Sequence, residues 1–367
     1  MTHSLKNNIF AETIFMKNFF KFIKITFFSI LAIVALLFIY FIVSNKIFIG
    51  STNKENTDYL SQHSADIKDS IAATLFDNNF YTSDVFLLGE IHGYAANQKI
   101  DKELLFFLNK KLHVKYYIAE MDSNNANKLN TFLSNPAKDN ALLKDVVSSI
   151  RKRIPQQSSL ELYQKWAEIY DYNQKLADTA KITVIGIDKS FTDDKTTISR
   201  DSAMLLNLEN YIKTHHIEGE KLYGLFGFFH VLQKGKDTAN EPLATRLKNK
   251  GYKVSSFVSY TIDSDMYLPK NPQFPTPSNE KVNWVNADGP LMLVKGIGDL
   301  KELSQPNSIS LFRLDAPHSP YLRSQNLITV KSRLFGENIV PAQTTYTTDY
   351  FQYVFLLRNS KALTKLD

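Results

Sequence analysis

Two short motifs place a histidine just after an apolar run of the sequence. The first spans Gly89 to His92 and also contains Glu90, and the second spans Gly227 to His230. Apolar runs of this length are typical of buried strands. Polar side chains just past the carboxyl ends of such strands face the ligand crevice of an open α/β sheet, because helices cover both faces. The spacing therefore predicts that Glu90, His92 and His230 lie in one cleft.

Two further strand-like runs end in a carboxylate. Residues 114–119 precede Glu120, and residues 182–187 precede Asp188. If these strands are neighbours in the sheet, both carboxylates converge with the two histidines. Each residue also has a structural alternative. An acid after a strand can favour the positive end of a helix dipole, and Asp188 suits a turn or a helix cap.

Two imidazoles and one or two carboxylates in a cleft support two kinds of chemistry. His92, Glu120 and His230 could bind a divalent transition metal such as manganese, cobalt or zinc, with an open position for an activated water. Without a metal, His92 could act as a general base oriented by a carboxylate, and the second histidine would stabilise charge in the transition state. The sequence leaves both alternatives open.

Two secondary candidates lie outside these motifs. Asn173 continues a helical stripe of aromatic residues, which is more typical of a core, yet its amide could face the site. His318 lies in the loop Asp315 to Pro320, which prolines restrict and which could extend over the cleft. For His318 the alternative is an ordinary loop residue.

Composition limits the class of protein. A chain of 367 residues with 44% hydrophobic and 22% charged residues can bury a large core. The net charge is +6, but residues 1–50 contribute +4, so the rest of the chain has no basic patch typical of nucleic-acid binding. Cysteine is absent, which excludes disulfides, thiolate metal sites and a cysteine nucleophile.

The N-terminal region predicts a single membrane-spanning helix. Residues 25–43 are uncharged and long enough to cross most of a bilayer. Lysines concentrate before this run, which places residues 1–24 in the cytoplasm and the remainder in the periplasm or outside the cell. The alternatives are a cleaved signal peptide and a buried core helix. Residues 51–65 are polar, and residues 44–65 are predicted to be a tether that leads from this signal anchor to a folded domain at 66–367.

The order of elements predicts an α/β fold with a mostly parallel central sheet and helices on both faces. Strand-like runs alternate with helical patterns such as those at residues 97–112 and 199–213. Each parallel connection requires a crossover, which such helices supply. Residues 261–290 include Pro269, Pro272, Pro275 and Pro277 and predict a long surface loop or lid.

The motifs resemble those of the superfamily that joins erythromycin esterases, the Tiki and TraB proteases and ChaN-type haem-binding lipoproteins. The resemblance covers about residues 84–260 and includes Ala119-Glu120-Met121, Ile185-Gly-Ile-Asp188 and the segment Leu247 to Val254. In the Tiki branch it places His92, Glu120 and His230 at the positions associated with metal-dependent peptide cleavage. The esterase branch hydrolyses a macrolide lactone without metal, but it has two residues between its Glu and His, where only Ile91 stands here.

The resemblance and the residues together favour a membrane-anchored hydrolase of ester or peptide bonds. Its substrate would be a small molecule or a peptide, and water would be the nucleophile. The alternative that the resemblance implies is a module of the ChaN type, which binds haem or another ligand without turnover. A degenerate scaffold that keeps only the fold is a third possibility.

Overall fold

The computed structural model describes residues 2–68, 70–191, 197–235, 240–271, 276–333 and 338–366, with side chains from residue 16 onward. The chain divides into two compact units, Met1–Gly50 and Ser51–Asp367. The first unit is a single helix, α1 (Thr2–Ile49). Its segment Met16–Ile49 has a mean hydropathy of 2.8 in its most apolar window and is long and apolar enough to cross a membrane. The predicted span at residues 25–43 lies inside this helix.

The second unit contains the remaining described helices. They are α2 (Lys54–Gln62), α3 (Asn78–Tyr81), α4 (Ala95–Leu112), α5 (Ser123–Ser134), α6 (Asn140–Ser149), α7 (Leu160–Asn173), α8 (Arg200–His215), α9 (Leu243–Asn249) and α10 (Ile297–Leu303). Helix α4 agrees closely with the helix predicted at residues 97–112. It ends at His113, which adopts the left-handed conformation that closes a helix.

The strands of the second unit form one large sheet and three small ribbons. They are β1 (Ser64–Asp66), β2 (Val85–Glu90), β3 (Tyr116–Ala119), β4 (Thr183–Gly186), β5 (Leu222–Gly227), β6 (Val254–Ile262), β7 (Met266–Tyr267), β8 (Lys281–Val282), β9 (Val285–Asn286), β10 (Gly289–Pro290), β11 (Met292–Val294), β12 (Ile309–Arg313), β13 (Val330–Ser332) and β14 (Tyr353–Arg358). The large sheet has the order β1-β12-β14-β6-β2-β5-β3-β4.

The large sheet is mostly parallel. Strands β14, β6, β2, β5, β3 and β4 pair in parallel, and β12 pairs antiparallel with both of its neighbours. Every residue of β2 is buried, as expected for a central strand that is covered on both faces. One face packs against helices α4 to α7 in a continuous apolar cluster, and α9 follows on from β5 to pack near β6. The predicted α/β class is confirmed.

A polar network is buried where helices α4 and α7 meet the sheet. Asp101 is 0% exposed and accepts hydrogen bonds from Tyr117 at 2.9 Å and from Tyr223 at 2.7 Å. Lys165 Nζ lies 2.5 Å from Asp101 Oδ2, and only 4% of this lysine is exposed. Burial of a charge is costly unless it is paired, so the ion pair and the two phenols stabilise each other in this core.

The structure corrects the predicted tether at residues 44–65. Residues 44–49 continue helix α1, and the folded unit already begins at Ser51 rather than at residue 66. Helix α2 buries Asn56, Tyr59 and Leu60, and Asn56 Nδ2 donates to Asp299 of α10 at 2.7 Å. Polar composition suggested a linker because most of this helix faces solvent and only a narrow stripe packs inward.

The structure also corrects the loop predicted at residues 261–290. This segment holds the end of β6 and the short strands β7 to β10, and it buries Met266, Val285 and Ala287. Of the four prolines on which the prediction was based, Pro272 and Pro275 lie outside the described residues. A proline outside or at the end of a two-residue strand does not remove a hydrogen bond between paired strands. The prolines of this segment are therefore compatible with the short strands β7 to β10.

Candidate functional site

The predicted site residues lie at the carboxyl edge of four adjacent parallel strands. Glu90 is the last residue of β2, Glu120 follows β3 and Asp188 lies shortly after β4. His230 lies in a 3-10 helical turn, Phe228–Val231, that directly follows β5. Because β2, β5, β3 and β4 are consecutive in the sheet, their carboxyl ends meet at the same edge. The two histidine motifs therefore converge in space.

His92 and Glu90 form the first imidazole–carboxylate pair. His92 Nδ1 lies 2.9 Å from Glu90 Oε1, and Gln157 Nε2 donates to the same oxygen at 2.6 Å. The His92 side chain is 23% exposed while that of Glu90 is fully buried, so the imidazole is the part that water reaches. Burial lowers the pKa of His92, but the hydrogen bond to Glu90 and the charges of Glu90 and Glu120 outweigh it. The pKa of His92 is therefore raised above its ordinary value.

His230 and Asp201 form a second pair of the same kind. His230 Nδ1 lies 2.7 Å from Asp201 Oδ1, and the Leu243 backbone N–H donates to that oxygen at 2.7 Å. Asp201 belongs to the first turn of α8, where the helix dipole favours an acid. Burial lowers the pKa of His230, but the bond to Asp201 and the charges of Glu120 and Asp201 raise it above its ordinary value overall.

Arg200 connects the carboxylates that follow β3 and β4. Its Nη2 lies 2.8 Å from Glu120 Oε1 and 2.5 Å from Asp188 Oδ2, and its Nη1 lies 3.4 Å from His230 Nε2. The Gly227 N–H donates to Glu120 Oε2 at 2.7 Å. Burial raises the pKa of Glu120, but the charges of His230, His92 and Arg200 and the Gly227 N–H together lower it below its ordinary value. Among the described residues of the site, Asp188 contacts Arg200.

Gly227 lies between the two imidazoles. A Cβ atom built on this glycine would be 3.3 Å from His92 Nε2 and 3.5 Å from His230 Cδ2. Both rings therefore approach the same point. Nδ1 of each ring is bonded to a carboxylate, so the Nε2 edges are the ones that face the middle of the site.

The two pairs form the floor of a cavity of about 340 Å³. Glu90, His92, Glu120, Arg200 and His230 line its polar end. Its walls are apolar and come from later parts of the chain. They include the side chains of Met266, Leu268, Val285, Met292, Val330 and Ile339.

The predicted metal ligands do not have a metal-binding arrangement. Among the described residues, no group of three His, Asp or Glu side chains could hold a metal ion. The physical reason is Arg200, which is 2.8 Å from the Glu120 oxygen and 3.4 Å from the His230 nitrogen that a metal would need. A metal bound by His92, Glu120 and His230 would be repelled by this guanidinium, because like charges at short distance are unfavourable.

The structure places the two secondary candidates away from the cavity. Asn173 is 1% exposed, and its side chain bonds the backbone N–H and C=O of Ile182 just before β4. That position is the opposite edge of the sheet, so Asn173 joins α7 to the sheet. His318 is exposed in the loop after β12. Because β12 runs antiparallel to β14, this loop also lies at the opposite edge.

Three residues that contribute to the site are absent from the predicted set. Arg200 and Asp201 stand directly after the α8 N-cap Ser199. An arginine in the first turn opposes the helix dipole, and this unfavourable position was the available signal. Gln157 lies in the 3-10 turn Pro155–Gln157, where nothing in the local sequence indicates a role. The apolar walls likewise come from short strands that periodicity does not reveal.

Comparison with known proteins identifies the fold. No family model matches the chain, and no curated protein sequence matches it. Among solved structures, a Bacillus cereus protein matches with a TM-score of 0.61 at 10% identity, over 87% of this chain and 100% of that one. A succinoglycan biosynthesis protein matches with a TM-score of 0.56 at 12% identity, over 86% and 100% of the two chains. The chain shares its fold with these proteins.

The superfamily named from the motifs stays a prediction, because the matched structures are only 10 to 13% identical to this chain. The matched structures include an erythromycin esterase, with a TM-score of 0.43 at 12% identity over 78% of this chain and 93% of that one. They also include the haem-binding ChaN of Campylobacter jejuni, with a TM-score of 0.26 at 13% identity over 49% and 82%. At such identities a structural likeness concerns the fold, so the function has to be argued from the site itself.

Proposed function

We propose that residues 51–367 form a hydrolase that cleaves an ester bond by general-base catalysis, without a metal ion. The observation that carries this proposal is the pair of imidazole–carboxylate units on either side of Gly227, at the floor of one cavity. A water molecule held between the two Nε2 edges would lie next to a base on one side and a positive charge on the other. Hydrolysis of a carbonyl compound requires this combination.

His92 is the proposed general base. With its Nδ1–H donated to Glu90, its Nε2 is the free acceptor and removes a proton from the attacking water. Glu90 fixes the tautomer and stabilises the imidazolium that forms, and Gln157 holds Glu90 in place. The raised pKa makes His92 a stronger base, at the cost of a smaller neutral fraction near neutral pH.

His230 and Arg200 are the proposed stabilisers of the developing oxyanion. The raised pKa of His230 favours the imidazolium, and Arg200 Nη1 lies beside its Nε2. Preorganised positive groups at the point where negative charge develops are effective because they require no reorganisation during the reaction. Glu120 and Asp188 position Arg200 and need not contact the substrate.

Helix α1 is the proposed membrane anchor. Its uncharged central segment is flanked by three lysines on the N-terminal side and by Lys46 on the other. The positive-inside tendency then places the N-terminus in the cytoplasm and the hydrolase domain in the periplasm or outside the cell. Protease treatment of intact cells or spheroplasts should digest the domain. Protection of the domain in intact spheroplasts would reverse the proposed orientation.

The catalytic proposal is tested with His92→Asn on a panel of p-nitrophenyl esters and chromogenic peptides. We expect kcat to fall by about 10² to 10⁴ for the ester that is best hydrolysed, which is the usual contribution of a general base. His318→Asn is the matched control, because this histidine is exposed at the opposite edge of the sheet. Full activity of His92→Asn would contradict the role of His92 as the base. Loss of wild-type activity after treatment with a chelator would contradict a metal-free mechanism.

The alternative of a haem-binding module has a separate test. His92 Nε2 faces the cavity and could serve as an axial ligand, as the name of the ChaN match suggests for that protein. A titration of the purified domain with haem, followed by visible absorption, should show no Soret shift at micromolar haem if hydrolysis is the function. A saturable shift that His92→Asn abolishes would favour the binding module instead.

A further inference from the structure

The cavity next to the proposed catalytic residues has mostly apolar walls. Seven of its lining residues come from residues 266–339, and none carries a charge: the apolar Met266, Leu268, Val285, Met292, Val330 and Ile339, and Ser332. Ile91, Phe228 and Tyr260 continue this apolar surface down to the floor. When a substrate group enters this space, its surface is removed from water and contacts apolar side chains. This burial stabilises apolar groups in proportion to their buried area.

The charged groups at the floor are paired with one another. Glu90, Glu120, Asp188 and Asp201 contribute four carboxylates around the two imidazoles. Among the described residues that line the cavity, Arg200 is the one arginine or lysine, and its guanidinium is bonded to Glu120 and Asp188. A carboxylate at the end of the acyl chain would lie against the apolar walls, where the described lining residues include no arginine or lysine. An unpaired charge is strongly disfavoured in such a setting.

The size of the cavity limits the apolar group. Its volume of about 340 Å³ is near the lower end of the range for small-molecule sites. Phe229 lies at the cavity and is 45% exposed, so one side of the space opens to solvent. A short acyl chain can therefore be buried while the leaving alcohol extends outward.

From these observations we propose that the site accepts neutral esters with a short apolar acyl chain and rejects esters that carry a carboxylate on that chain. This inference rests on the hydrolysis proposed above and adds the substrate class. It depends on the walls and on the pairing of the charged groups at the floor, and not on the identity of the general base.

The kinetic test compares p-nitrophenyl acetate, butyrate and hexanoate with p-nitrophenyl hemisuccinate, using the complete chain. We expect kcat/KM to rise about four-fold for each methylene that the walls bury, until the cavity is full. Hemisuccinate has the same acyl length as butyrate but ends in a carboxylate. We expect at least about a 100-fold lower kcat/KM for it than for butyrate.

A matched pair of variants tests whether the walls cause this selectivity. Ile339→Lys adds a cation to the wall, and Val340→Lys adds one at the next position, where the side chain is 79% exposed. We expect Ile339→Lys to raise the hemisuccinate to butyrate ratio at least ten-fold and Val340→Lys to leave it unchanged. Equal ratios in both variants, or a wild-type preference for hemisuccinate, would overturn the inference.

Failure of the proposed hydrolysis is distinguished by a binding measurement. Isothermal titration calorimetry of the His92→Asn variant compares p-nitrophenyl hexanoate with p-nitrophenyl hemisuccinate. Tighter binding of the hexanoate by a protein that hydrolyses neither ester would support the ligand class and refute the hydrolase. Equal or tighter binding of the hemisuccinate would refute the ligand class, whatever the activity.

Discussion

Replacing Arg200 by glutamine removes the guanidinium that lies between two buried carboxylates. The side chains of Glu120 and Asp188 are 3% and 0% exposed, and Arg200 contacts them at 2.8 and 2.5 Å. At an effective dielectric constant near 20, the contact with Glu120 alone corresponds to a gross attraction of about 6 kcal/mol. Desolvation offsets much of it. Removal of one partner from a buried pair typically costs about 3 to 5 kcal/mol.

For a unit of about 320 residues, that loss corresponds to a decrease in Tm of about 5 to 8 °C. Circular dichroism during heating measures it, and Arg323→Gln is the control. Arg323 is 75% exposed and 3.8 Å from Glu55, so its replacement should change Tm by less than about 1 °C. Arg200→Lys keeps the charge but loses the planar fork, and should lie between the wild type and Arg200→Gln.

The effect of Arg200→Gln should also depend on pH, in a direction that follows from the lowered pKa of Glu120. A group with a depressed pKa contributes stability that is present above its unfolded pKa and is lost as the pH falls through its folded pKa. Arg200→Gln removes this contribution, so its deficit relative to the wild type should be large at pH 7 and should shrink at lower pH. A deficit that is the same at all pH values, or no larger than that of Arg323→Gln, would refute this reasoning.

Three further predictions follow from the geometry. Gly227→Ala places a methyl group 3.3 Å from Nε2 of the His92 ring. We expect kcat to fall about ten-fold with little change in Tm. An unchanged kcat would show that the ring can move freely. Lys165→Met leaves Asp101 buried without its cation, so the free energy of unfolding should fall by about 3 to 5 kcal/mol. Urea denaturation measures this loss. A second change, Asp101→Leu, should restore most of the lost free energy. The value of kcat/KM should rise with pH as His92 loses its proton, at a pH above the ordinary pKa of histidine. Glu90→Gln should move this rise to lower pH. A rise at the same pH in Glu90→Gln and in the wild type would exclude His92 as the base.

The sequence predicted the elements that are built on long, regular patterns. Strands β2 and β5 are continuous apolar runs that end in a polar motif, and α4 repeats apolar residues every four positions. These patterns depend only on neighbouring residues, and burial on both faces of a parallel sheet produces them directly. The convergence of Glu90, His92, Glu120 and His230 followed from the sheet class together with the assumption that their strands are neighbours.

The rest of the site depends on contacts between distant parts of the chain. The metal prediction considered His92, Glu120 and His230 by type, and no local pattern indicated that Arg200 would lie between two of these ligands. Helix α2 was missed because only a narrow stripe of it is buried. Strands β7 to β10 have two residues each, which is too short for an alternating pattern to be recognised.

The floor and the walls of the cavity are encoded by different stretches of the chain. Every charged residue of the floor precedes position 231, whereas most of the apolar wall follows position 260. Mutations in the later stretch can therefore alter which molecules enter without disturbing the groups that react with them. Substitutions in that later stretch could therefore change substrate selectivity while the proposed catalytic residues stay the same.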